Sequence, residues 1–151
     1  MSATRYPSRR DVLRLAVGAT AAALIAPTLA AAPEQRMRKI PKTGETLPAI
    51  GLGSWQTFDV GAAAGERSAQ REVLKLFVQQ GGRLVDSSPM YGESESVIGD
   101  LAAELDVTGK LFLATKVWTA GREDGIRQME QSFQRLRTKK MDLMQVHNLL
   151  D

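Results

Sequence analysis

The chain has 151 residues, 43% of them hydrophobic and 25% charged, the balance of an ordinary globular domain with length for a single core. Cysteine is absent and histidine occurs once, which excludes disulfides, thiolate metal sites and any histidine-based metal cluster. The pI of 9.4 suggests nucleic acid until the charge is divided along the chain. The net +3 sits within residues 1–31, where Arg5, Arg9, Arg10 and Arg14 are opposed only by Asp11, and the remaining basic and acidic residues balance. A nucleic-acid binder carries its basic surface on the folded domain, so no nucleic-acid partner is expected.

Ser8-Arg9-Arg10-Asp11-Val12-Leu13-Arg14 precedes 18 residues, Leu15 to Ala32, that carry no charge. The run is rich in alanine, diluted by Gly18, Thr20 and Thr28. It ends in small residues suited to cleavage after Ala30, Ala31 or Ala32. Paired arginines ahead of a weakly apolar run resemble a twin-arginine export signal. Residues 1–31 are therefore expected to be a signal peptide and residues 32–151 the mature domain, carried by twin-arginine export machinery to the bacterial periplasm or beyond. The alternative is an uncleaved anchor, since the run lies at the lower edge of bilayer-spanning length. Cleavage leaves no membrane span.

Beyond the signal, Arg36 to Ile40 and Thr46 to Ile50 flank Pro41-Lys42-Thr43-Gly44-Glu45, which predicts a hairpin. Ile50 to Trp55 is a short strand ending in glycines, and Thr57 to Arg67 is a Gly- and Ala-rich loop. Val73, Leu74, Phe77 and Val78 recur at helical spacing within a helix from about Ser68 to Gln80, stopped by Gly81-Gly82. Arg83 to Asp86 is a strand. Ser94 is placed to cap a second helix, with Glu95 in its first turn and Val97, Ile98, Leu101 and Leu105 on its apolar face. Leu111 to Lys116 is a third strand, and Arg122 to Arg137 a helix with Ile126, Met129, Phe133 and Leu136 on one side. Met141 to His147 is a fourth strand. Strands alternating with helices predict an α/β fold with parallel pairing and right-handed crossovers.

The functional signal lies at the strand ends. Leu84-Val85-Asp86 ends in a carboxylate, and Tyr91 follows five residues later on the next loop. Lys116 and His147 end the next two strands. Side chains alternate along a strand, so Asp86 shares a face with Leu84, Lys116 with Ala114 and Phe112, and His147 with Gln145 and Leu143. In a parallel α/β barrel the C-terminal strand ends form the active-site face. A phenol ordinarily has a pKa near ~10, and a nearby ammonium favours its phenolate. A carboxylate holds such an ammonium in place, and a neutral imidazole donates a hydrogen bond to a carbonyl oxygen. Such a set protonates and polarises a carbonyl while a cofactor delivers hydride to its carbon. Taken singly, each residue has an ordinary structural explanation: a solvated strand-end carboxylate or lysine, a half-buried tyrosine, a structural histidine. The ordered combination carries the weight.

At these residues the chain resembles the aldo-keto reductase family. The likeness runs through Leu47-Pro48-Ala49-Ile50-Gly51-Leu52-Gly53-Ser54-Trp55, Asp86-Ser87-Ser88-Pro89-Met90-Tyr91-Gly92, Thr115-Lys116-Val117-Trp118 and Asp142-Leu143-Met144-Gln145-Val146-His147-Asn148. The resemblance implies the first half of a (β/α)8 barrel (the hairpin plus strands one to four) and NADPH-dependent reduction of small aldehydes or ketones. It implies Tyr91 as general acid, Lys116 and Asp86 as the groups that tune it, and His147 as the group that orients the carbonyl. Gly53, Ser54, Trp55 and Asp86 would lie along the cofactor, and Trp55, Trp118 and His147 would line the substrate pocket. Two positions depart from the common pattern: Ser88-Pro89 stands before Tyr91 in place of an alanine-rich run, and Asn148-Leu149-Leu150 follows His147 where many members have Trp-Pro. The remaining charged positions are expected to be solvated surface.

A barrel of this type takes about 250 residues. The ending at Asp151 reads as truncation, and the piece alone is expected to be inactive because the phosphate-binding elements would lie later. A non-catalytic nucleotide-binding or regulatory module, or a remnant of the same fold, is the competing reading. Sequencing the N-terminus of the exported protein should give a start at Ala31, Ala32 or Pro33; an intact Met1 would refute the cleavage assignment.

Overall fold

The computed structural model describes residues 35–63 and 65–148; the signal segment expected over residues 1–31 lies outside them. Strands β1 (Met37–Lys39) and β2 (Thr46–Pro48) pair antiparallel, with Met37 opposite Pro48. The Pro/Gly turn between them is closed by Gly44 N–H to Ile40 O at 2.9 Å and by Ile40 N–H to Glu45 O at 2.7 Å. The predicted hairpin is therefore formed, with strands shorter than the sequence pattern suggested.

Strands β3 (Leu52–Gly53), β4 (Leu84–Asp86), β5 (Phe112–Val117) and β6 (Leu143–Val146) form one parallel sheet in sequential order. Helix α1 (Ser68–Gln79) connects β3 to β4, α2 (Ser94–Glu104) connects β4 to β5, and α3 (Arg122–Arg135) connects β5 to β6. Sequential parallel strands joined by helical crossovers are what one half of a (β/α)8 barrel presents. Among the described residues no helix is long and apolar enough to cross a membrane.

The core lies between the sheet and the helices. Val85, Leu111 and Leu113 enter it from the strand side, and Leu74, Val97, Ile98, Leu101 and Leu136 from the helices. Each buried aliphatic side chain contributes on the order of 2 kcal/mol. Helix α2 is buried around most of its circumference, including Ser94, Glu95 and Gly99. On α1 the expected apolar face is narrower than its periodicity suggested. Leu74 is fully buried, but Val73 is 47% exposed.

All three helices end in the same hydrogen-bond pattern. After α1, Gly81 N–H bonds Val78 O and Gly82 N–H bonds Phe77 O, with Gly81 left-handed at φ +84°. Asp106 takes the equivalent position after α2 at φ 53°, and Arg137 after α3 at φ 50°. Only the first of these stops carries the glycine that makes such an ending visible in sequence. At the other end of α2, Ser94 does not act as the expected cap. Its hydroxyl donates to Ser54 O at 3.2 Å, because the helix start is sealed against the β3 end and solvent does not reach it.

Gly99 sets how closely α2 and α3 approach. A methyl group there would stand 2.0 Å from Arg135 O and within 2.9 Å of Leu136 backbone atoms. Alanine gains about 1 kcal/mol over glycine in helix propensity, but backbone that close cannot yield as a side chain would. Gly99→Ala is expected to destabilise the fold by about 2 kcal/mol or more, read as a lowered urea midpoint. Gly109, which has nothing within 4 Å, provides the control: Gly109→Ala should be neutral or slightly stabilising.

Candidate active site

Alternation along β4 sends Val85 into the core, where it is 1% exposed, and leaves Leu84 and Asp86 on the opposite face. The register sets Asp86 opposite Ala114, and Lys116 opposite Gln145. Lys116 therefore stands one pleat beyond Asp86 on the same face. Its stem folds back so that Nζ donates to Asp86 Oδ2 at 2.6 Å and to Ser87 O at 2.7 Å. Gln145 Nε2 donates to the other oxygen, Asp86 Oδ1, at 3.2 Å. Both carboxylate oxygens are thus engaged, and the lysine is held from two directions. The lysine side chain is 13% exposed and the aspartate 37%. At that exposure the ion pair itself adds about 1 kcal/mol or less; its larger effect is to fix where the ammonium sits.

Tyr91 lies on the loop beyond β4. Tyr91 N–H bonds Ser88 O at 3.0 Å, and Ser94 N–H bonds Tyr91 O at 3.0 Å. Asp59 Oδ1 accepts Glu93 N–H at 2.9 Å and ties the loop to the segment after β3. The phenol ring is the hub of the site. Lys116 Nζ stands 5.0 Å from its centroid, within cation–π range. The His147 ring meets it edge-on, with centroids 5.7 Å apart and planes at 90°. Trp55 tilts toward it with centroids at 6.4 Å. Lys116 therefore meets Tyr91 through the ring face, and the hydrogen bonds of its ammonium go to Asp86 and Ser87.

His147 follows the last residue of β6, where its N–H continues the ladder to Val117 O at 2.9 Å. Its Nδ1 lies 3.0 Å from Ser88 Oγ. The structure thus brings Asp86, Tyr91, Lys116 and His147 together, from two strand ends, the turn after β6 and one loop. Trp118 is 45% exposed and, with His147, borders an open groove of about 910 Å³ that runs along α3 past Gly121 and Ile126. Asp86, Tyr91 and Lys116 do not line that groove, so it is not the cleft above the four polar groups. The Gln128 side chain clamps the Trp118 backbone, accepting its N–H at 2.6 Å and donating to its carbonyl at 3.2 Å.

The residues expected along a cofactor divide. Gly53 is exposed, pairs with Asp86 in register, and has no atom within 4 Å of where a side chain would begin. Trp55 is 62% exposed. Ser54 is fully buried, with its hydroxyl donating to Ser87 Oγ at 2.9 Å, so its side chain lies beneath the surface that Gly53 and Trp55 present. Among the described residues no group of three His, Asp or Glu is placed to hold a metal ion.

Sequence patterns pointed to the four polar groups and missed what braces them. Ser87, Ser88 and Glu95 are fully buried. Glu95 lies in the first turn of α2, as expected, but its carboxylate is turned inward and accepts from Thr115 Oγ1 at 2.6 Å and Ser132 Oγ at 3.2 Å, with Arg135 at 3.6 Å. Thr115 precedes Lys116 and points to the opposite face of β5, so Glu95 anchors the back of the strand that carries the lysine. The signal was available: Glu95 lies at positions i, i+3 and i+7 with Ile98 and Ala102, on a face that is apolar elsewhere.

The sequence model of the Aldo/keto reductase family matches residues 49–149. Methylglyoxal reductase YeaE of Escherichia coli (strain K12) is 35% identical over 106 residues, covering 68% of this chain and 36% of the relative. Aldo-keto reductase YhdN of Bacillus subtilis (strain 168) is 31% identical over 120 residues, covering 72% and 36%. The chain thus spans about a third of the length of these curated relatives. A crystal structure of an aldo-keto reductase from Klebsiella pneumoniae in complex with NADPH superposes with a TM-score of 0.64 at 28% identity, covering 78% of this chain and 41% of that one. An aldo/keto reductase from Klebsiella pneumoniae in complex with NADP and acetate gives 0.59 at 30% identity, covering 69% and 36%.

Removing the Glu95 carboxylate strands two buried hydroxyls without their acceptor. Glu95→Ala is expected to cost about 2–4 kcal/mol. Glu95→Gln keeps the shape and one acceptor, and should be tolerated to within about 1 kcal/mol. Denaturant midpoints of the two variants measure the contrast, and equal midpoints would show that the Thr115 and Ser132 contacts contribute nothing.

Proposed function

The chain belongs to the aldo/keto reductase family, and on that premise we propose that these residues form the catalytic half of an NADP(H)-dependent reductase of small aldehydes or ketones. The observation that supports this best is the placement of Lys116 Nζ, 2.6 Å from Asp86 Oδ2 and 5.0 Å from the centre of the Tyr91 ring, with His147 at the ring edge. Tyr91 donates a proton to the carbonyl oxygen. The Lys116 ammonium favours the phenolate that this leaves behind, and Asp86, braced by Gln145, holds the ammonium there. His147 donates a hydrogen bond to the same carbonyl oxygen and orients it.

The residues present fit a nicotinamide dinucleotide. Gly53 and Trp55 form an exposed shelf beside Asp86, open where a side chain at Gly53 would otherwise stand. When bound, that cofactor supplies the hydride. Ser54 supports the shelf from below through Ser87. Trp55 and Trp118, 62% and 45% exposed, suit the walls of a pocket for a small organic carbonyl. Four relatives named as methylglyoxal reductases, from Escherichia coli, Yersinia pestis, Salmonella typhi and Salmonella typhimurium, favour a short, activated aldehyde as first substrate to try. Barrel enzymes often hold phosphate after strands seven and eight. No Gly-rich phosphate loop opens a helix in this sequence. We therefore assign turnover to a polypeptide that carries the whole barrel, and weak cofactor binding to these 151 residues alone. The arginine pair and uncharged run of residues 1–31 support an exported, periplasmic protein.

In a polypeptide carrying the whole barrel, Tyr91→Phe should lower carbonyl reduction by about 10²–10⁴-fold while leaving NADPH binding within about twofold, since the ring and its packing remain. Steady-state NADPH oxidation with a short aldehyde, together with a fluorescence titration of the cofactor, measures both. Full turnover by Tyr91→Phe would remove Tyr91 from the role of acid.

A further inference from the structure

Ser88 is a fully buried hydroxyl in the loop between Asp86 and Tyr91. Its oxygen accepts the Met90 N–H at 3.2 Å and lies 3.0 Å from His147 Nδ1. A hydroxyl has a single hydrogen to donate. Among the described residues, the acceptor within reach of that hydrogen is His147 Nδ1. Had Nδ1 carried the proton, the Ser88 oxygen would accept from both Met90 and His147, and its own hydrogen would be buried without a partner, which proteins avoid. The tautomer of an imidazole is set by the hydrogen bond that its other nitrogen makes.

We infer that Ser88 is a positioning residue that fixes His147 in the neutral tautomer with the proton on Nε2. Ser88 donates to Nδ1, Nδ1 is an acceptor, and Nε2–H becomes the donor. The same hydroxyl holds the Met90 N–H one residue before Tyr91, so one buried atom couples the orientation of the imidazole to the loop that carries the phenol. His147 is then ready to donate to a carbonyl oxygen without a rotation or a proton transfer. The consequence for turnover rests on the carbonyl-reductase reading; the tautomer does not.

Because the chain has one histidine, ¹⁵N-labelled protein gives a single imidazole pattern in long-range ¹⁵N–¹H correlation spectra. At a pH above the imidazole titration, the parent protein should show unprotonated, hydrogen-bonded Nδ1 and protonated Nε2, with one tautomer in about tenfold excess. Ser88→Ala should shift the Nδ1 resonance toward that of a free acceptor nitrogen and bring up the second tautomer. Ser88→Thr, which keeps the hydroxyl, should restore the parent pattern. In a polypeptide carrying the whole barrel, Ser88→Ala should lower kcat/KM for a short aldehyde by about two- to tenfold, and Ser88→Thr should recover it. A parent spectrum with the proton on Nδ1, or with two tautomers in comparable amounts, would overturn the inference, and it does so even if both variants fail to fold. An Nδ1 resonance unmoved in folded Ser88→Ala would overturn it as well. If the parent spectrum is as expected and a polypeptide carrying the whole barrel reduces no carbonyl, the tautomer stands and the reductase reading fails.

Discussion

The hydrogen-bonded ion pair between Lys116 and Asp86 is the constraint on which the arrangement of the site depends. It joins the ends of two adjacent parallel strands, and it forms because the ladder sets Asp86 opposite Ala114, leaving Lys116 one pleat further along on the same face. A slip of one residue in that register would turn the lysine into the helical layer and Thr115 toward the aspartate. The pair is too exposed to act mainly as a source of stability. Its consequence is geometric: an ammonium held by Asp86 and Ser87 is not free to wander over the face of Tyr91. Gln145 extends the same logic to β6 by occupying the second oxygen of Asp86.

That register is enforced from behind. Thr115 leaves β5 on the side opposite Lys116 and meets Glu95, which also receives Ser132 from α3. One buried carboxylate thus links α2, α3 and β5. The close approach of α2 to α3 over Gly99 permits the contact, because a larger residue there would hold the two helices apart. A second polar layer, Ser54, Ser87 and Ser94, seals the junction between the β3 end, the β4 end and the start of α2. The face that carries the four polar groups is consequently supported by hydroxyls and a carboxylate that solvent does not reach, and burial keeps these groups from exchanging their partners for water.

Much of the fold was legible. Alternation of short apolar runs with helical periodicity located every strand and helix of the sheet layer, and the glycines at 81 and 82 marked the end of α1. Asp106 and Arg137 did not mark the ends of α2 and α3, because a left-handed residue that is not glycine leaves no compositional trace. The four polar groups were legible for a similar reason. A strand end fixes which residue faces the barrel interior, and three strand ends in succession carried Asp86, Lys116 and His147. Ser54, which the resemblance set along a cofactor, has a burial that was not legible in that way. It sits between two exposed residues, but its N–H is drawn to Asp86 O and its hydroxyl to Ser87, which pulls the side chain under the shelf.

Local periodicity and strand-end chemistry, both properties of residues close in the chain, determined the order of elements, the parallel topology and the identity of the groups that face one another. Which atoms of those groups meet depended on contacts between residues far apart in sequence. Ser88 reaches His147 across 59 positions, and Lys116 reaches Asp86 across 30. Hydrogen bonds of that kind are set by register, loop closure and the depth of burial, and these exist only once the sheet and its helices have packed. The sequence by itself therefore named the phenol, the cation, the carboxylate and the imidazole, and the tertiary structure decided that the lysine meets the phenol through its ring face and that a buried serine holds the imidazole.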